Sequence, residues 1–384
     1  MSSGPHILYS APQSLYSGKA RSFLRKSGMA FEERLVTHPG YTENVMPKTG
    51  KFWLPVLQAP DGTIVQDTTE IADYLVEQGA TSRTPTTPRR KVVAAILELF
   101  GDEGLLKQAM HYRWNFDDIN MPFIQWEFRE WLTPPQFGAE DRDKMAINAM
   151  GSMQKYLPAL GISNETIPTI EQGFLDLIDA LHIHLEHMPY LMGIEPTIAD
   201  FGMMGPLYAH LGRDPHPLMI MKSRAPRVLR WIERMNVHDA DAPEYSHLAP
   251  SDEADHIPET LLPLLKLIAT DYLGEICSVV DLVNTYLAEN PDIEEGQAVL
   301  TEKQRNILPK HAPQVRGQET PMGARATSLW MLGRIHKAFD GLNEGEQAEV
   351  LTFLGSVGLT DLLSARPTRA MERAGCREVW GTAS

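Results

Sequence analysis

Residues 7–78 read ILYSAPQSLYSGKARSFLRKSGMAFEERLVTHPGYTENVMPKTGKFWLPVLQAPDGTIVQDTTEIADYLVEQ. Ile7-Leu8-Tyr9 is a short apolar strand, Ser14 and Ser17 are helix-starting residues, and Ala20, Phe23 and Leu24 share one helical face before Gly28 stops the helix. Phe31 to Val36 is apolar enough for a second strand, and after an irregular segment Trp53-Leu54-Pro55-Val56-Leu57 supplies a third. Pro60-Asp61-Gly62 makes a turn, and Thr63-Ile64-Val65-Gln66 returns as the hairpin partner. Pro55 stands just ahead of a strand, where it removes no central ladder hydrogen bond and where a cis peptide bond is compatible with the pattern. Asp67-Thr68-Thr69-Glu70 then opens a helix with carboxylate and hydroxyl groups, continued by apolar Ile71, Tyr74 and Leu75.

This order of elements resembles the thioredoxin-like, glutathione-binding domain of the glutathione transferase superfamily. There, a strand and helix carrying a catalytic Ser, Tyr or Cys are followed by an apolar residue and a cis-Pro, then by an acidic-hydroxyl pair at the third helix. Leu8-Tyr9, Ser14, Lys19, Leu54-Pro55 and Asp67-Thr68 fill those places in order. Further on, Tyr190-Leu191-Met192-Gly193 precedes Pro196-Thr197-Ile198-Ala199-Asp200-Phe201, in which Thr197 and Asp200 have the spacing of an N-capping box with Asp for the usual Glu. It is similar to the box in the helical domain of that superfamily. The fold class implied is an α/β thioredoxin-like N-terminal domain plus an all-α C-terminal domain, with a long helical C-terminal extension.

The resemblance implies glutathione as co-substrate and a hydrophobic electrophile as its acceptor. A free thiol, with a pKa of ~8.5, is mostly protonated at neutral pH and has to be turned into a thiolate. Ser14, just before the first helix, is the expected catalytic residue: its hydroxyl donates to the sulfur while the helix dipole adds a second stabilising contribution. Tyr9, Tyr16 and Ser17 are the other candidates for that contact, and an N-cap role for Ser14 or Ser17 is the plain alternative. A Cys in that place would support reductase chemistry through a mixed disulfide, and this chain has none there. Leu54 and Pro55 are expected to pair with the cysteinyl part in the manner of an added strand, Asp67 and Thr68 to hold the γ-glutamyl end, and Lys51, with Lys48 behind it, to meet the glycyl carboxylate. For the second substrate the expected lining is Tyr16, Tyr112, Trp114 and Phe116, within an aromatic run that continues through Phe123, Trp126, Phe128 and Trp131; core packing or a dimer interface is the alternative for such a run.

Composition narrows the rest. Fifty acidic against 35 basic residues give a formal charge of −15, which repels phosphate backbones, so no nucleic-acid partner is expected. Cys277 and Cys376 are the only cysteines, too few for a disulfide framework. The start of the chain lacks a basic region followed by an apolar stretch, and no run approaches the ~20 apolar residues needed to cross a bilayer. A cytoplasmic setting, no membrane partner and, by the resemblance, a homodimer are expected. His182, His184, Glu186 and His187 spread over more than one helical face and read as a solvated polar surface, so no metal is expected. Gly202, Gly205 and Gly212 do not lie between a strand and a helix and make a poor dinucleotide loop, while Pro206 is expected to kink or end its helix.

The expected organisation is a thioredoxin-like domain over residues 1–80, a polar linker with two prolines over 81–90, an all-helical domain over 91–240 and a helical extension over 241–384. Helical spacing marks 92–100, 173–187, 260–288, 324–339 and 346–363, with polar breaks at 239–258 and 289–321. Alternatives within the same fold are a glutathione-dependent ether-cleaving, dehalogenating or isomerising enzyme. A noncatalytic transferase-like binding protein is the alternative of a different class.

Overall fold

A computed structural model describes residues 4–239, 242–248, 255–300 and 307–383. The expected breaks at 239–258 and 289–321 fall partly outside the described residues. Strand β1 (His6–Ser10) leads to helix α1 (Leu15–Lys26), strand β2 (Phe31–Leu35), the single turn α2 (Met46–Thr49), the hairpin β3 (Val56–Gln58) and β4 (Ile64–Gln66), and helix α3 (Thr68–Glu77). These four strands form one sheet in the order β2-β1-β3-β4, with β1 parallel to β2 and antiparallel to β3. Gly28 takes a left-handed φ of 64°, as a helix stop requires.

Strand β3 is shorter than the apolar run from Trp53. Pro55 has no N–H to give the ladder, and both backbone groups of Trp53 are taken by a side chain: the Tyr41 hydroxyl donates to its carbonyl at 2.7 Å and accepts from its amide at 3.0 Å. Tyr41 itself is buried with Tyr9, Val36, Val45 and Val56 in the core beneath the sheet, its ring edge-on to Tyr9 at 5.5 Å. The segment that reads as irregular in sequence contains a π-helical turn over Tyr41–Val45.

Downstream the chain is largely helical. It runs through α4 (Pro88–Leu99), a π-helical turn (Phe100–Gly104), α5 (Leu106–Trp114), α6 (Asp117–Leu132), α7 (Ala139–Gln154), α8 (Ile167–His187), α9 (Ile198–Ala209), α10 (Pro215–Arg224) and α11 (Pro226–Met235). The extension adds α12 (Leu262–Asp271), α13 (Leu273–Glu289), α14 (Ala326–Asp340), α15 (Glu344–Ser356) and α16 (Asp361–Ser364). It also carries short strands that helical periodicity did not reveal: β5 (Ile307–His311) pairs with β8 (Met322–Arg325), β6 (Gln314–Val315) with β7 (Gln318–Glu319), and β9 (Arg369–Ala374) with β10 (Arg377–Ala383). Two expected single helices are divided. Tyr272 leaves helical geometry between α12 and α13, and Gly358, at φ 75°, separates α15 from α16.

Grouped by contacts, the chain forms two compact units, each assembled from separated stretches. The first comprises Met1–Ser82, Ala109–Tyr156 and Met203–Pro243. In it, Arg21 on α1 grips Glu33 on β2 with Nε at 2.9 Å from both carboxylate oxygens, and Ser10 also donates to Glu33. Burial would raise the Glu33 pKa, but Arg21 outweighs it and holds the carboxyl below its ordinary range. The second unit comprises Arg83–Gln108, Leu157–Gly202 and Glu244–Ser384. Its centre is α4, whose residues from Val92 to Leu99 are all buried, Glu98 included, with α14 and α15 packed on it. At Gly202 on α9 an added Cβ would stand 2.7 Å from the Glu98 Cα, so this glycine permits a close helix crossing.

Three local expectations change in three dimensions. Only half of the capping box forms: the Asp200 carboxylate accepts from the Thr197 amide at 2.9 Å, but the Thr197 hydroxyl donates to that carboxylate, and the other oxygen accepts from the Leu191 amide at 3.0 Å. Of the two expected effects of Pro206, ending the helix does not occur, since α9 continues to Ala209. His184 is fully buried, not on a solvated face, because α8 turns that side toward Thr260 and the Tyr190 carbonyl, which its ring nitrogens meet at 2.9 and 3.2 Å. Burial pushes its pKa down to about 4.

Candidate functional site

The sheet register brings the expected glutathione-binding residues to one end of the first unit. Tyr9 near the end of β1 pairs with Val56 at the start of β3, and Val56 pairs with Gln66 at the end of β4. The chain leaves or enters the sheet at that end three times, toward Ser14, from Leu54-Pro55 and toward Asp67-Thr68.

Ser14 is the N-cap of α1, its Oγ accepting from the Ser17 amide at 3.3 Å. The cap uses an oxygen lone pair, so the hydroxyl proton remains to be donated elsewhere. Ser17 is buried and its Oγ accepts from the Ala11 amide, and Tyr9 is buried in the core with its hydroxyl on Gln58. Tyr16 is half-buried in the first turn of α1. The Leu54–Pro55 bond is cis, Pro55 is buried, and Leu54 lies ahead of β3, outside the register pairs of the ladder. Lys51 is half-buried with Nζ 6.0 Å from the Trp53 ring centroid, whereas Lys48 donates to the Gly62 carbonyl at 2.7 Å.

Asp67 caps α3, accepting from the Thr69 amide at 2.9 Å, and does so at φ 91° and ψ 142°, a region that L side chains rarely adopt. Thr68 and Thr69 behind it are buried, and the Lys19 ammonium, also buried, donates to the Thr69 hydroxyl at 2.9 Å, joining α1 to the head of α3.

The aromatic run packs ring against ring. Tyr112 and Trp114 are only 2% and 3% exposed: Trp114 packs edge-on to Phe128, and Tyr112 lies parallel to Phe116, which stacks on His216 at 3.7 Å. Phe116 alone of the three is half-buried. Trp114 and Phe128 meet because α5 and α6 turn them toward each other, a direction that spacing along one helix does not carry.

The residues sequence reading missed are those that fix the loop ahead of Ser14. Arg113, between Tyr112 and Trp114 in the chain, is buried and forms a two-pronged ion pair with Asp214, both N···O distances 2.8 Å. Its remaining donors reach the carbonyls of Gln13 and Ala209, each at 3.1 Å. His210 faces the Ala109 carbonyl at 3.2 Å and the Gln13 backbone; burial and the Arg113 charge hold its pKa well below the ordinary value. Arg213, between the rings of Phe123 and Tyr208, pairs with the buried Glu127, whose pKa burial pushes up against the pull of both arginines. An Asp immediately before a Pro-led helix was a visible N-cap signal at 214, but its partner lies 101 residues away in sequence. Among the described residues no cluster of His, Cys, Asp or Glu is arranged to hold a metal ion, and no helix is long and apolar enough to cross a membrane.

Comparison with known proteins bears on the first domain. Residues 8–83 match the family model described as Glutathione S-transferase, N-terminal domain. No curated protein matches the chain. Solved structures similar to it include glutathione transferase GSTFuA3 from Phanerochaete chrysosporium, 17% identical over 62% of this chain and 98% of that one with a TM-score of 0.42. Beta-etherase LigF from Sphingobium sp. strain SYK-6 is 18% identical over 64% of this chain and 100% of its own, with a TM-score of 0.39. The Tau class glutathione S-transferase MiGSTU from mango, Mangifera indica L., is 16% identical over 65% and 95%, with a TM-score of 0.33. The domain match lies on the sheet and helices that carry the candidate site, so residues 8–83 are similar to the N-terminal domain of glutathione S-transferases.

Proposed function

We propose that this protein is a glutathione transferase in which the Ser14 hydroxyl activates the glutathione thiol for attack on a hydrophobic electrophile. The observation that carries the reading is the meeting, at one sheet end, of a helix N-cap hydroxyl, a Pro-led strand entry and a second helix headed by a strained aspartate.

Glutathione supplies the thiol. Ser14 donates its free proton to the sulfur, and the first turn of α1 adds the positive end of its dipole, both favouring the anion. The Leu54 amide and carbonyl, outside the ladder, take the cysteinyl unit as an added strand. The first-turn amides of α3 and the Thr68 hydroxyl receive the γ-glutamyl carboxylate, and the Asp67 carboxylate its ammonium. Holding Asp67 at φ 91° costs about 1–3 kcal/mol, a cost that a ligand-holding role explains and capping alone does not. Lys51 is assigned to the glycyl carboxylate and Tyr16 to the acceptor side. In the transfer, the C–S bond forms as the leaving group departs with its electron pair, and the thiol proton passes to solvent.

The test is an ultraviolet difference titration of the protein with glutathione at neutral pH, repeated with Ser14→Ala. A saturable thiolate band that disappears in the variant while glutathione still binds is the expected result. A wild type that neither shows the band nor binds glutathione would overturn the proposal.

A further inference from the structure

The loop between β1 and α1 holds a polar side chain that the proposed chemistry leaves unused. Gln13 is 3% exposed, and neither its amide nitrogen nor its amide oxygen has a hydrogen-bond partner. Burying an amide in this way is unfavourable, and an apolar side chain of the same size would avoid the cost. Its backbone is firmly held, the carbonyl accepting from Arg113 at 3.1 Å and facing His210. The groups that hold it come from α5 and from residues 209–214, whereas glutathione is read by β3, β4 and the head of α3. Gln13 adjoins Ser14 in the chain, and the groups that hold its backbone are none of those assigned to glutathione.

We infer that Gln13 is a specificity-determining residue for the acceptor, its amide N–H donating to an oxygen next to the electrophilic carbon. The inference rests on the glutathione chemistry proposed above. A donor so placed has no partner until the acceptor arrives, and it strengthens as charge shifts onto that oxygen during attack. Acceptors with a carbonyl beside the reacting carbon fit it; hydrocarbon analogues of the same shape leave it unpaired.

Phenacyl bromide and benzyl bromide differ by that carbonyl. In both, the thiolate forms a C–S bond at the CH2 carbon as the C–Br bond breaks, bromide leaves with the bonding pair, and the thiol proton goes to solvent. In Gln13→Met the thermal midpoint should hold or rise and the glutathione thiolate titration should be unchanged. The kcat/KM for phenacyl bromide should fall about tenfold or more, the equivalent of one hydrogen bond, while that for benzyl bromide stays within about twofold. Gln13→Leu provides a second apolar replacement with the same expectation. Unchanged phenacyl kinetics, an equal loss with both bromides, a drop in midpoint in both variants, or transfer to neither bromide by a wild type that does form the thiolate would each overturn the inference. A wild type with no thiolate band would instead sink the glutathione reading on which it stands.

Discussion

Arg113 and Asp214 allow stability and site positioning to be separated. In Arg113→Met the Asp214 carboxylate, fully buried, loses both 2.8 Å contacts, and the Gln13 and Ala209 carbonyls lose their donor. Breaking a buried pair from one side leaves an uncompensated charge, so the substitution should cost about 3–5 kcal/mol. Removing the orphaned carboxylate as well, in Arg113→Met with Asp214→Leu, replaces the pair by apolar groups and should recover about 2 kcal/mol or more, a coupling that only contacting residues show. Glu127 keeps Arg213 in both variants. Urea denaturation of the wild type, both single variants and the double variant supplies the cycle, and the glutathione thiolate titration is run on each. The double variant should regain stability without regaining the wild-type thiolate pKa, because the Gln13 carbonyl ahead of Ser14 has then lost its Arg113 donor. A single-variant loss below about 1 kcal/mol, or a double variant no more stable than Arg113→Met, would refute the assignment of this pair as a buried clamp.

Acid should destabilise the protein before its carboxylates titrate. His184, with a folded pKa of about 4, stays neutral while the unfolded chain takes up a proton near 6.5. Its contribution, about 3 kcal/mol, is thus complete above pH 6.5, falls as pH drops from 6.5 to about 4 and is flat below that. His210, His311 and His336 are lowered too, chiefly by burial, and act with the same sign, so urea midpoints should decline between pH 7 and 5. Asp67→Gly should raise stability by about 1 kcal/mol, since relief of the backbone strain exceeds the few tenths lost when a cap becomes Gly, while calorimetric affinity for glutathione falls. Gly202→Ala, whose methyl would meet the Glu98 backbone at 2.7 and 2.9 Å, should cost about 1–3 kcal/mol by thermal denaturation because backbone cannot move aside as a side chain does.

Much of the first domain was legible because its signals are local. A polar cap before an amphipathic run at Ser14, a Pro ahead of a short strand at 55, a turn at Asp61-Gly62 and a carboxylate-hydroxyl start at Asp67-Thr68 each act within a few residues, and their order limits the topology. The aromatic run at 110–131 was ambiguous for the opposite reason: a Trp buried against Phe128 and a Trp lining a pocket have the same spacing along their helix. Strands β6 and β7 of the extension escaped notice because a two-residue pair carries too little alternation to stand out from loop sequence.

The sequence by itself determined the sheet-and-helix order of residues 7–78 and the identity of the groups at the helix starts, since capping and turn chemistry are short-range. Only the tertiary structure decided that Tyr41 would fix the approach to Pro55, that Arg113 would reach the Gln13 carbonyl while bound to Asp214, and that the Gln13 amide would be buried without a partner. Each of these depends on which residues, a dozen to about a hundred positions apart, are brought within or kept out of hydrogen-bond range when apolar faces pack, and no local pattern encodes that meeting.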